Sequence, residues 1–168
     1  MIINFVIPSW SYWKEPLRAQ PLTQMYLATI LENNNTEVEI TDFRDGQKEV
    51  SFADMYLYTI ASPDLKECQE ISNNIRNKYP NSIHIAGGPH PTILPDETKG
   101  FEIVVSGRGE EFLTSEPYKS NNEYPFPKRH FLPKEKIVND NLFKTDNIKS
   151  TTAQFSFGCP FGCSFCAN

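Results

Sequence analysis

An alternation of strand-like and helix-like segments over residues 1 to about 113 constrains the fold of this chain more than any other feature. Short apolar runs recur along this stretch, and segments with helically spaced apolar residues separate them. Strands that alternate with helices form a parallel sheet with helices on both faces. The pattern therefore predicts an α/β fold with five parallel strands, at residues 2–7, 38–41, 55–61, 82–86 and 103–106.

The first long helix is predicted to follow the first strand. Leu22, Met25, Tyr26 and Ile30 fall on one face of this helix. The asparagine run at 33–35 ends it, because asparagine tolerates a left-handed turn.

The second long helix is predicted to begin at Ser62-Pro63-Asp64. The Ser62 hydroxyl can cap this helix, and Pro63 fits its first turn. Cys68 lies on its apolar stripe, and we interpret it as a buried and inert thiol, since free cysteine packs as a small hydrophobe. His84 lies inside the fourth strand and is predicted to belong to the core or to the sheet surface.

Composition excludes several classes of partner and location. The net charge is −5 and no basic block occurs, which argues against nucleic acid, because phosphate binding needs clustered Lys and Arg. The apolar run at residues 1–7 is too short to cross a membrane and follows no basic residues, so neither an anchor nor a signal peptide is predicted. A cysteine-poor body with one dense thiol cluster is typical of a reducing cytoplasm.

The character of the chain changes after residue 113. Residues 114–150 are rich in Asn, Lys, Pro and Glu without a sustained period, which predicts a linker that packs locally in extended form. Residues 152–157 are predicted to form a strand that leads into a cysteine-rich loop. The expected organisation is an α/β domain at 1–113, an interdomain linker at 114–150 and the start of a second domain at 151–168.

The cysteine-rich loop contains Cys159, Cys163 and Cys166 in the spacing Cys-x3-Cys-x2-Cys. Thiolates suit iron–sulfur and zinc centres, and three thiolates on a four-iron cluster leave one iron open to a substrate or cofactor. A zinc knuckle is a less favoured alternative, because zinc needs a fourth ligand and His130 lies far upstream. A redox disulfide is the other alternative.

This block resembles the cluster-binding motif of the radical S-adenosylmethionine superfamily, in which an aromatic residue precedes the third cysteine, as Phe165 does here. The resemblance implies that Cys159, Cys163 and Cys166 hold a [4Fe–4S] cluster. It implies that the open iron chelates S-adenosylmethionine, that one electron cleaves this cofactor to a 5′-deoxyadenosyl radical, and that Phe165 lies near the adenine.

Two glycine-containing loops follow the fourth and fifth predicted strands. They are Gly87-Gly88-Pro89-His90-Pro91-Thr92 and Ser106-Gly107-Arg108-Gly109-Glu110-Glu111-Phe112-Leu113. Glycine at a strand end lets a ligand approach the backbone, since no Cβ stands in the way. No Gly-x-Gly-x-x-Gly follows the first strand and no Gly-x-x-x-x-Gly-Lys-Ser/Thr run occurs, which argues against dinucleotide and P-loop sites.

The five strands, these two loops, Tyr124-Pro125-Phe126-Pro127 and the cysteine block resemble, in this order, the cobalamin-binding domain that precedes the radical S-adenosylmethionine barrel in one large enzyme class. The resemblance implies a flavodoxin-like (Rossmann-like) domain that binds cobalamin at its strand ends. The implied contacts are Gly87, Gly88, Pro89, His90, Pro91, Thr92, Ser106, Gly107, Arg108 and Gly109. Many such domains carry Asp-x-His-x-x-Gly after the first strand, and no histidine stands there in this chain. Cobalamin is therefore expected to bind without a protein histidine beneath cobalt, or to have been lost from the domain.

The resemblance implies the amino-terminal part of a cobalamin-dependent radical S-adenosylmethionine enzyme that methylates or rearranges an unactivated carbon. Only the first strand of its barrel is expected within the 168 residues. We therefore expect the chain alone not to be a competent catalyst, but a truncated product, a fragment or half of a split enzyme whose barrel is a separate chain. The alternative is a stand-alone cobalamin-binding or partner-docking module with a vestigial cysteine tail. A flavin-binding domain ranks low, because no Ser/Thr-rich phosphate loop follows the first strand.

Several loop residues have two interpretations each. His90, between two prolines, is expected to be exposed, either as a contact to the corrin or its nucleotide tail or as a plain turn residue. Arg108 and Glu110 either bind corrin amides or cap a short helix, and the cap is favoured for Glu110. An aromatic patch after the first strand covers a corrin face or an interdomain surface, or packs in the core; it comprises Trp10, Tyr12 and Trp13.

Overall fold

One five-stranded sheet forms the centre of the molecule. The computed structural model describes residues 1–47, 49–114, 125–138, 149–155 and 161–164. The strands are β1 (Ile2–Ile7), β2 (Glu37–Asp42), β3 (Met55–Thr59), β4 (Ile83–Gly87) and β5 (Ile103–Val104). All neighbours pair in parallel, in the order β2-β1-β3-β4-β5. The predicted five-stranded parallel α/β sheet of the flavodoxin-like class is confirmed.

The described residues include four α-helices. They are α1 (Leu22–Asn33), α2 (Leu65–Lys78) and the short α3 (Pro89–Ile93) and α4 (Gly109–Thr114). The apolar spacing of both long helices and the end of α1 at the asparagine run match the prediction, because apolar period and end signals act between neighbouring residues.

The two faces of the sheet are buried by different helices. Side chains alternate between faces along a strand, and the register aligns Phe5 of β1 with Leu57 of β3 and Leu57 with Ile85 of β4. These three pack with α1, whose buried contributions are Tyr26, Leu27, Ala28 and Leu31. The opposite face packs with α2, whose buried contributions are Cys68, Ile71 and Ile75. Helices therefore cover both faces, as predicted, and Cys68 is fully buried.

The start of α2 differs from the prediction. Ser62-Pro63-Asp64 forms a turn of 3-10 helix ahead of α2. The Ser62 hydroxyl does not cap it but lies 3.0 Å from the His90 Nδ1. The Asp64 carboxylate instead accepts a hydrogen bond from the Ala61 N–H at 3.3 Å. The Asp64 carboxylate therefore satisfies a free N–H of the first turn. The Ser62 hydroxyl does not, because it is hydrogen-bonded to His90 of the loop after β4.

The segment 125–138, predicted as part of a linker, packs onto the α/β domain. Leu132 and Ile137 are buried in one cluster with Ile7 of β1 and Met25 of α1. The apolar positions of this segment thus complete the core where β1 ends, although their spacing has no regular period.

The predicted strand at 152–157 is not found in the part that the structure describes. Residues 151–155 have no regular secondary structure, and residues 156 and 157 lie outside the described residues. The Thr152 carbonyl accepts a hydrogen bond from the Arg129 guanidinium at 2.7 Å, so side-chain contacts hold this stretch rather than a strand ladder. The domain boundaries stay predictions. No described helix has both the length and the apolar character that a membrane span requires.

Candidate functional site

The glycine loop after β4 lies against the end of β3. Gly88 has φ +105°, and a Cβ there would lie 2.9 Å from the Ile60 nitrogen. The neighbouring peptides are joined, because the Gly87 carbonyl accepts from the Ile60 N–H at 2.7 Å and the Ile60 carbonyl accepts from the His90 N–H at 3.0 Å. Gly88 is required by this contact within the protein, whereas we had predicted glycine here for a close ligand.

Thr92 joins the two glycine loops. Its hydroxyl donates to the Gly88 carbonyl at 2.8 Å and accepts from the Gly107 N–H at 3.1 Å. Its carbonyl accepts from the Ser106 hydroxyl at 3.2 Å. The predicted residues of both loops are therefore brought together at the carboxyl ends of β4 and β5, where parallel α/β sheets bind ligands.

Gly107 faces open space. Its φ is +100°, and a Cβ built there would meet no atom within 4 Å. A cleft of about 440 Å³ opens beside it and is lined by residues 103–108, Glu111 and Phe112. Gly107 is the predicted contact that fits a ligand-facing role best, because its glycine requirement is not explained by packing.

Arg108 and Gly109 begin the short helix α4. The Arg108 guanidinium lies 3.4 Å from the Glu110 carboxylate. A Cβ at Gly109 would lie 3.2 Å from the Leu27 side chain of α1. Gly109 therefore allows α4 to approach α1, a packing role where a cofactor contact was predicted.

His90 is buried, which corrects the prediction that it is exposed. Only 5% of the residue is accessible, and its Nδ1 lies 3.0 Å from the Ser62 hydroxyl. Its Nε2 is also buried and has no hydrogen-bond partner among the described residues. Pro89 begins α3, and Pro91 is buried, so both prolines turn the histidine inward beneath the loop. His90 links the ends of β3 and β4.

His84 lies in the core, as predicted. Its Nδ1 is 3.0 Å from the Tyr58 hydroxyl and 2.9 Å from the Ser72 hydroxyl. Its ring stacks on Tyr58 with centroids 5.8 Å apart. Burial, with a smaller contribution from the positive charge of Arg76, lowers its pKa to about 4. A neutral imidazole is therefore part of the folded core at neutral pH.

The loop between β1 and α1 carries the aromatic patch. Trp10 has φ +51°, a left-handed conformation that is unusual for a bulky residue. Its ring lies 5.8 Å from Trp13, and Trp13 lies 6.3 Å from Tyr12 in an edge-to-face contact. Trp10 packs at the margin of the core, whereas Tyr12 and Trp13 are about half exposed.

This loop reaches the first turn of α2. The Ser9 N–H donates to the Glu67 carboxylate at 2.8 Å. Partial burial and the neighbouring Asp64 carboxylate raise the pKa of Tyr12 to about 12, so its hydroxyl stays protonated at neutral pH. Burial also raises the pKa of Asp64. The loop thus spans from β1 to the helix that follows β3.

A buried ionic cluster at the end of β2 was not predicted. The Asp42 carboxylate accepts two hydrogen bonds from the Arg44 guanidinium, both at 2.8 Å. The Lys136 ammonium lies 3.7 Å from Asp42 and 2.8 Å from Asp45. The short spacing of Asp42 and Arg44 is a sequence signal for this ion pair, but Lys136 is remote in sequence and gives no such signal. This cluster attaches the 125–138 segment to the sheet.

A second cleft, of about 800 Å³, lies along the edge strand β2 and is lined partly by Glu32, Glu39, Glu49 and Lys78. It is far from both glycine loops in the strand order, because β2 and β5 are opposite edges of the sheet.

The cysteine block is described only in part. Cys163 is exposed and not in a disulfide. Cys159, Cys166 and Phe165 lie outside the described residues, so their predicted roles stay predictions. Within the described ranges, no group of three or more metal-ligating side chains comes together.

No protein-family model matches this chain. In sequence the chain is similar to an uncharacterised methyltransferase of Pyrococcus horikoshii, with 24% identity over an alignment of 192 residues that covers 88% of this chain and 40% of the relative. In structure it is similar to TsrM from Kitasatospora setae, a radical S-adenosylmethionine methyltransferase solved with its tryptophan substrate and an S-adenosylmethionine analogue. That match has a TM-score of 0.55 at 21% identity and covers 68% of this chain and 24% of that chain. The chain thus spans less than half of each protein. It shares its α/β fold with a radical S-adenosylmethionine methyltransferase and is related in sequence to a methyltransferase.

Proposed function

We propose that this chain is the amino-terminal part of a cobalamin-dependent radical S-adenosylmethionine enzyme, and that its reaction is methyl transfer to an unactivated carbon rather than rearrangement. One observation carries the proposal. The carboxyl edge of a parallel 2-1-3-4-5 sheet presents the open loop at Gly107, and the same chain continues into Cys-x3-Cys-x2-Cys. The similarity to two methyltransferases supports methyl transfer over rearrangement.

The histidines of this chain fit a cobalamin that has no protein ligand beneath cobalt. The chain has three histidines. His84 is enclosed in the core, His90 is buried against Ser62, and His130 lies 2.8 Å from Glu32 of α1. None of them offers a free imidazole at the open loop around Gly107. The corrin would therefore be held by backbone and side chains at its rim and faces.

The donor set of the cysteine block fits an iron–sulfur cluster better than zinc. Three thiolates complete the protein share of a cluster with one open iron, whereas a closed zinc site needs a fourth protein ligand. Cys163 is exposed, so its thiol is accessible to iron and sulfide. Cys159, Cys163 and Cys166 would hold the cluster, which together with S-adenosylmethionine would supply a radical able to remove hydrogen from carbon, and cobalamin would supply the methyl group.

The first test is anaerobic titration of the chain with hydroxocobalamin, followed by the electron paramagnetic resonance spectrum of the cobalt(II) form. We expect saturable binding and no nitrogen superhyperfine splitting. Splitting that persists with cobinamide, which has no base of its own, would reveal a protein nitrogen ligand. Absence of binding would overturn the cobalamin part of the proposal.

A matched pair of glycine variants locates the site. Gly107→Leu places a side chain in the open loop, and we expect it to abolish cobalamin binding. Gly100→Leu is the control, because Gly100 has φ +90° and also has no atom within 4 Å of a Cβ, but precedes β5 instead of following it. Equal loss of binding in both variants would contradict the placement.

The cluster is tested separately by anaerobic reconstitution with iron and sulfide. We expect close to four irons per chain, and loss of that iron in Cys159→Ser, Cys163→Ser and Cys166→Ser. Cys68→Ser is the control, because the Cys68 thiol is fully buried and burial raises its pKa. Stoichiometric zinc in place of iron would favour a zinc knuckle.

A second candidate is a module that docks to a partner protein. We propose that this partner is a radical S-adenosylmethionine barrel encoded as a separate chain. Phe155 and Phe161 favour it, because they are 91% and 72% exposed and flank the first cysteine in sequence. A module of this kind has a vestigial cysteine tail, so it predicts cobalamin binding without stable iron in the purified chain and unchanged cobalamin binding after removal of residues 151–168.

A further inference from the structure

The turn at residues 9–13 holds a bulky residue in a strained conformation. Trp10 has φ +51°, and the Trp13 N–H donates to the Trp10 carbonyl at 2.8 Å, which closes a tight turn. A left-handed backbone is unfavourable for a residue with a Cβ, because the Cβ approaches the following carbonyl oxygen. Such outliers persist where surrounding contacts over-determine them, and they concentrate at binding sites.

Contacts on both sides hold this turn. Behind Trp10 the Arg44 guanidinium lies 5.0 Å from the ring centroid, a cation–π contact with a fully buried side chain. On the other side Ser9 is bonded to Glu67 of α2, and the Asp64 carboxylate neighbours the Tyr12 hydroxyl. The turn is therefore rigid before any ligand binds, which reduces the entropy that binding would lose.

The outward side of the turn is aromatic and belongs to no core cluster of the described residues. Tyr12 is 50% and Trp13 is 47% exposed, although both rings contact other aromatic rings at one edge. The turn follows β1, and β1 and β3 are the strands at which the order 2-1-3-4-5 reverses direction. Open α/β sheets bind ligands outside the carboxyl ends of the strands at that reversal.

We propose that Tyr12 and Trp13 form a preorganised aromatic platform that packs against a flat conjugated ring of the bound corrinoid. The proposal rests on the proposed function and adds the residues that hold a ring face. The Tyr12 and Trp13 rings are nearly perpendicular, at 84°, so the Trp13 ring can lie face-on against the flat ring while Tyr12 borders its edge. Tyr and Trp suit this role, because both rings bury a large apolar area and have few rotatable bonds. Arg44, which is hydrogen-bonded to Asp42, packs against the Trp10 ring on the inner side of the turn.

The test measures dissociation constants by ultrafiltration for two probes, hydroxocobalamin and dicyanocobinamide, with the wild-type chain and three variants. The variants are Trp13→Ala, Trp13→Phe and the control Phe52→Ala. Phe52 is 51% exposed and also makes an edge-to-face aromatic contact, but it precedes β3 and lies at the amino end of the sheet. Far-ultraviolet circular dichroism confirms that each variant is folded.

We expect Trp13→Ala to weaken binding about tenfold, or about 1.4 kcal/mol, because it removes an aromatic contact and the apolar area that this contact buries. Trp13→Phe keeps a flat ring and is expected to restore most of that loss, and Phe52→Ala is expected to bind as the wild type does. A loss for both probes assigns the platform to the corrin, since cobinamide lacks the nucleotide tail. A loss for hydroxocobalamin alone assigns it to the benzimidazole base.

Two results would overturn the platform and are distinguishable from each other. If the wild type binds cobalamin and Trp13→Ala binds equally well, the platform contacts something other than the corrinoid, such as a protein domain, while the proposed function stands. If the wild type binds neither probe, the cobalamin part of the proposed function and the platform both fail.

Discussion

At the scale of single residues, Gly88 shows that the glycine of a ligand-like loop can be required by packing within the protein. We expect Gly88→Ala to lower the free energy of unfolding by about 2–4 kcal/mol. The left-handed backbone contributes about 1–2 kcal/mol, and a Cβ 2.9 Å from the Ile60 nitrogen forces the two loops apart. Urea denaturation measures the change. Gly100→Ala is the control, and its loss should be limited to the conformational part, because no atom lies near its Cβ. Equal losses would show that the Ile60 contact is unimportant.

His84 makes the stability of the core dependent on pH. Its pKa is lowered to about 4 in the folded chain, whereas an unfolded histidine titrates near 6.5. Between these values the unfolded chain binds a proton that the folded chain does not, so acid favours unfolding. We expect the His84 contribution to be complete above pH 6.5 and to be lost as the pH falls toward 4.

Urea midpoints at pH 7.0, 5.5 and 4.5 measure this loss. In His84→Asn the midpoint should fall less steeply with pH than in the wild type. A wild-type slope in His84→Asn would show that other groups dominate the acid sensitivity.

At the scale of elements, the buried ionic cluster fastens three parts of the chain at the end of β2. The Arg44 guanidinium also donates to the carbonyls of Pro16 and Ala19 in the loop after β1. Lys136 of the 125–138 segment lies 3.7 Å from the Asp42 carboxylate and so joins that segment to β2. Asp42→Asn leaves two buried cations without their shared carboxylate. We expect it to lower the free energy of unfolding by about 3 kcal/mol or more. The exposed pair Lys66–Glu70 supplies the control, and Glu70→Gln should change stability by less than about 0.5 kcal/mol.

The 125–138 segment behaves as part of the domain in this structure, and its apolar side chains should contribute accordingly. Leu132→Ala removes a buried side chain from the cluster with Ile7 and Met25, and we expect a loss of about 2–4 kcal/mol in unfolding free energy. Phe126→Ala in the same segment is the control, because Phe126 is 79% exposed and should be within about 0.5 kcal/mol of the wild type. A Leu132→Ala variant as stable as the wild type would mean that the segment detaches in solution.

At the scale of the whole molecule, the described cores are built without the cysteine tail. The three apolar clusters draw their members from residues 2–138. The triple variant of Cys159, Cys163 and Cys166 to Ser is therefore expected to unfold at the same urea concentration as the metal-free wild type. It should bind hydroxocobalamin with unchanged affinity and contain no iron after reconstitution. A destabilised triple variant would show that the tail contributes to the fold of the domain.

Elements with a local signature were predictable from sequence. The helix from Leu22 to Asn33 and the start of β3 at Met55 were anticipated, because apolar period and end signals act over a few residues. The fifth strand was predicted four residues long and is two, since strand length at a sheet edge depends on the partner that remains available.

Contacts between remote residues could not be predicted in the same way. His90 was expected at the surface because prolines and glycines surround it, yet a serine 28 positions away draws it inward. The 125–138 segment is predicted to pack locally, but without an apolar period its sequence does not say where; Leu132 and Ile137 pack at the end of β1. Neither contact leaves a pattern in the sequence near the residue concerned.

The amino-acid sequence by itself determined the class of fold and the places of its long helices, because periodicity is a property of neighbouring residues. Only the tertiary structure decided which glycine serves packing and which faces open space, that no histidine is free at the open loop, and that Tyr12 and Trp13 are held outward on a rigid turn. These depend on residues brought together from different strands and loops, such as Gly88 with Ile60 and Trp10 with Arg44. The parallel sheet allows these contacts, since the carboxyl ends of all its strands, and the loops that follow them, lie along one edge.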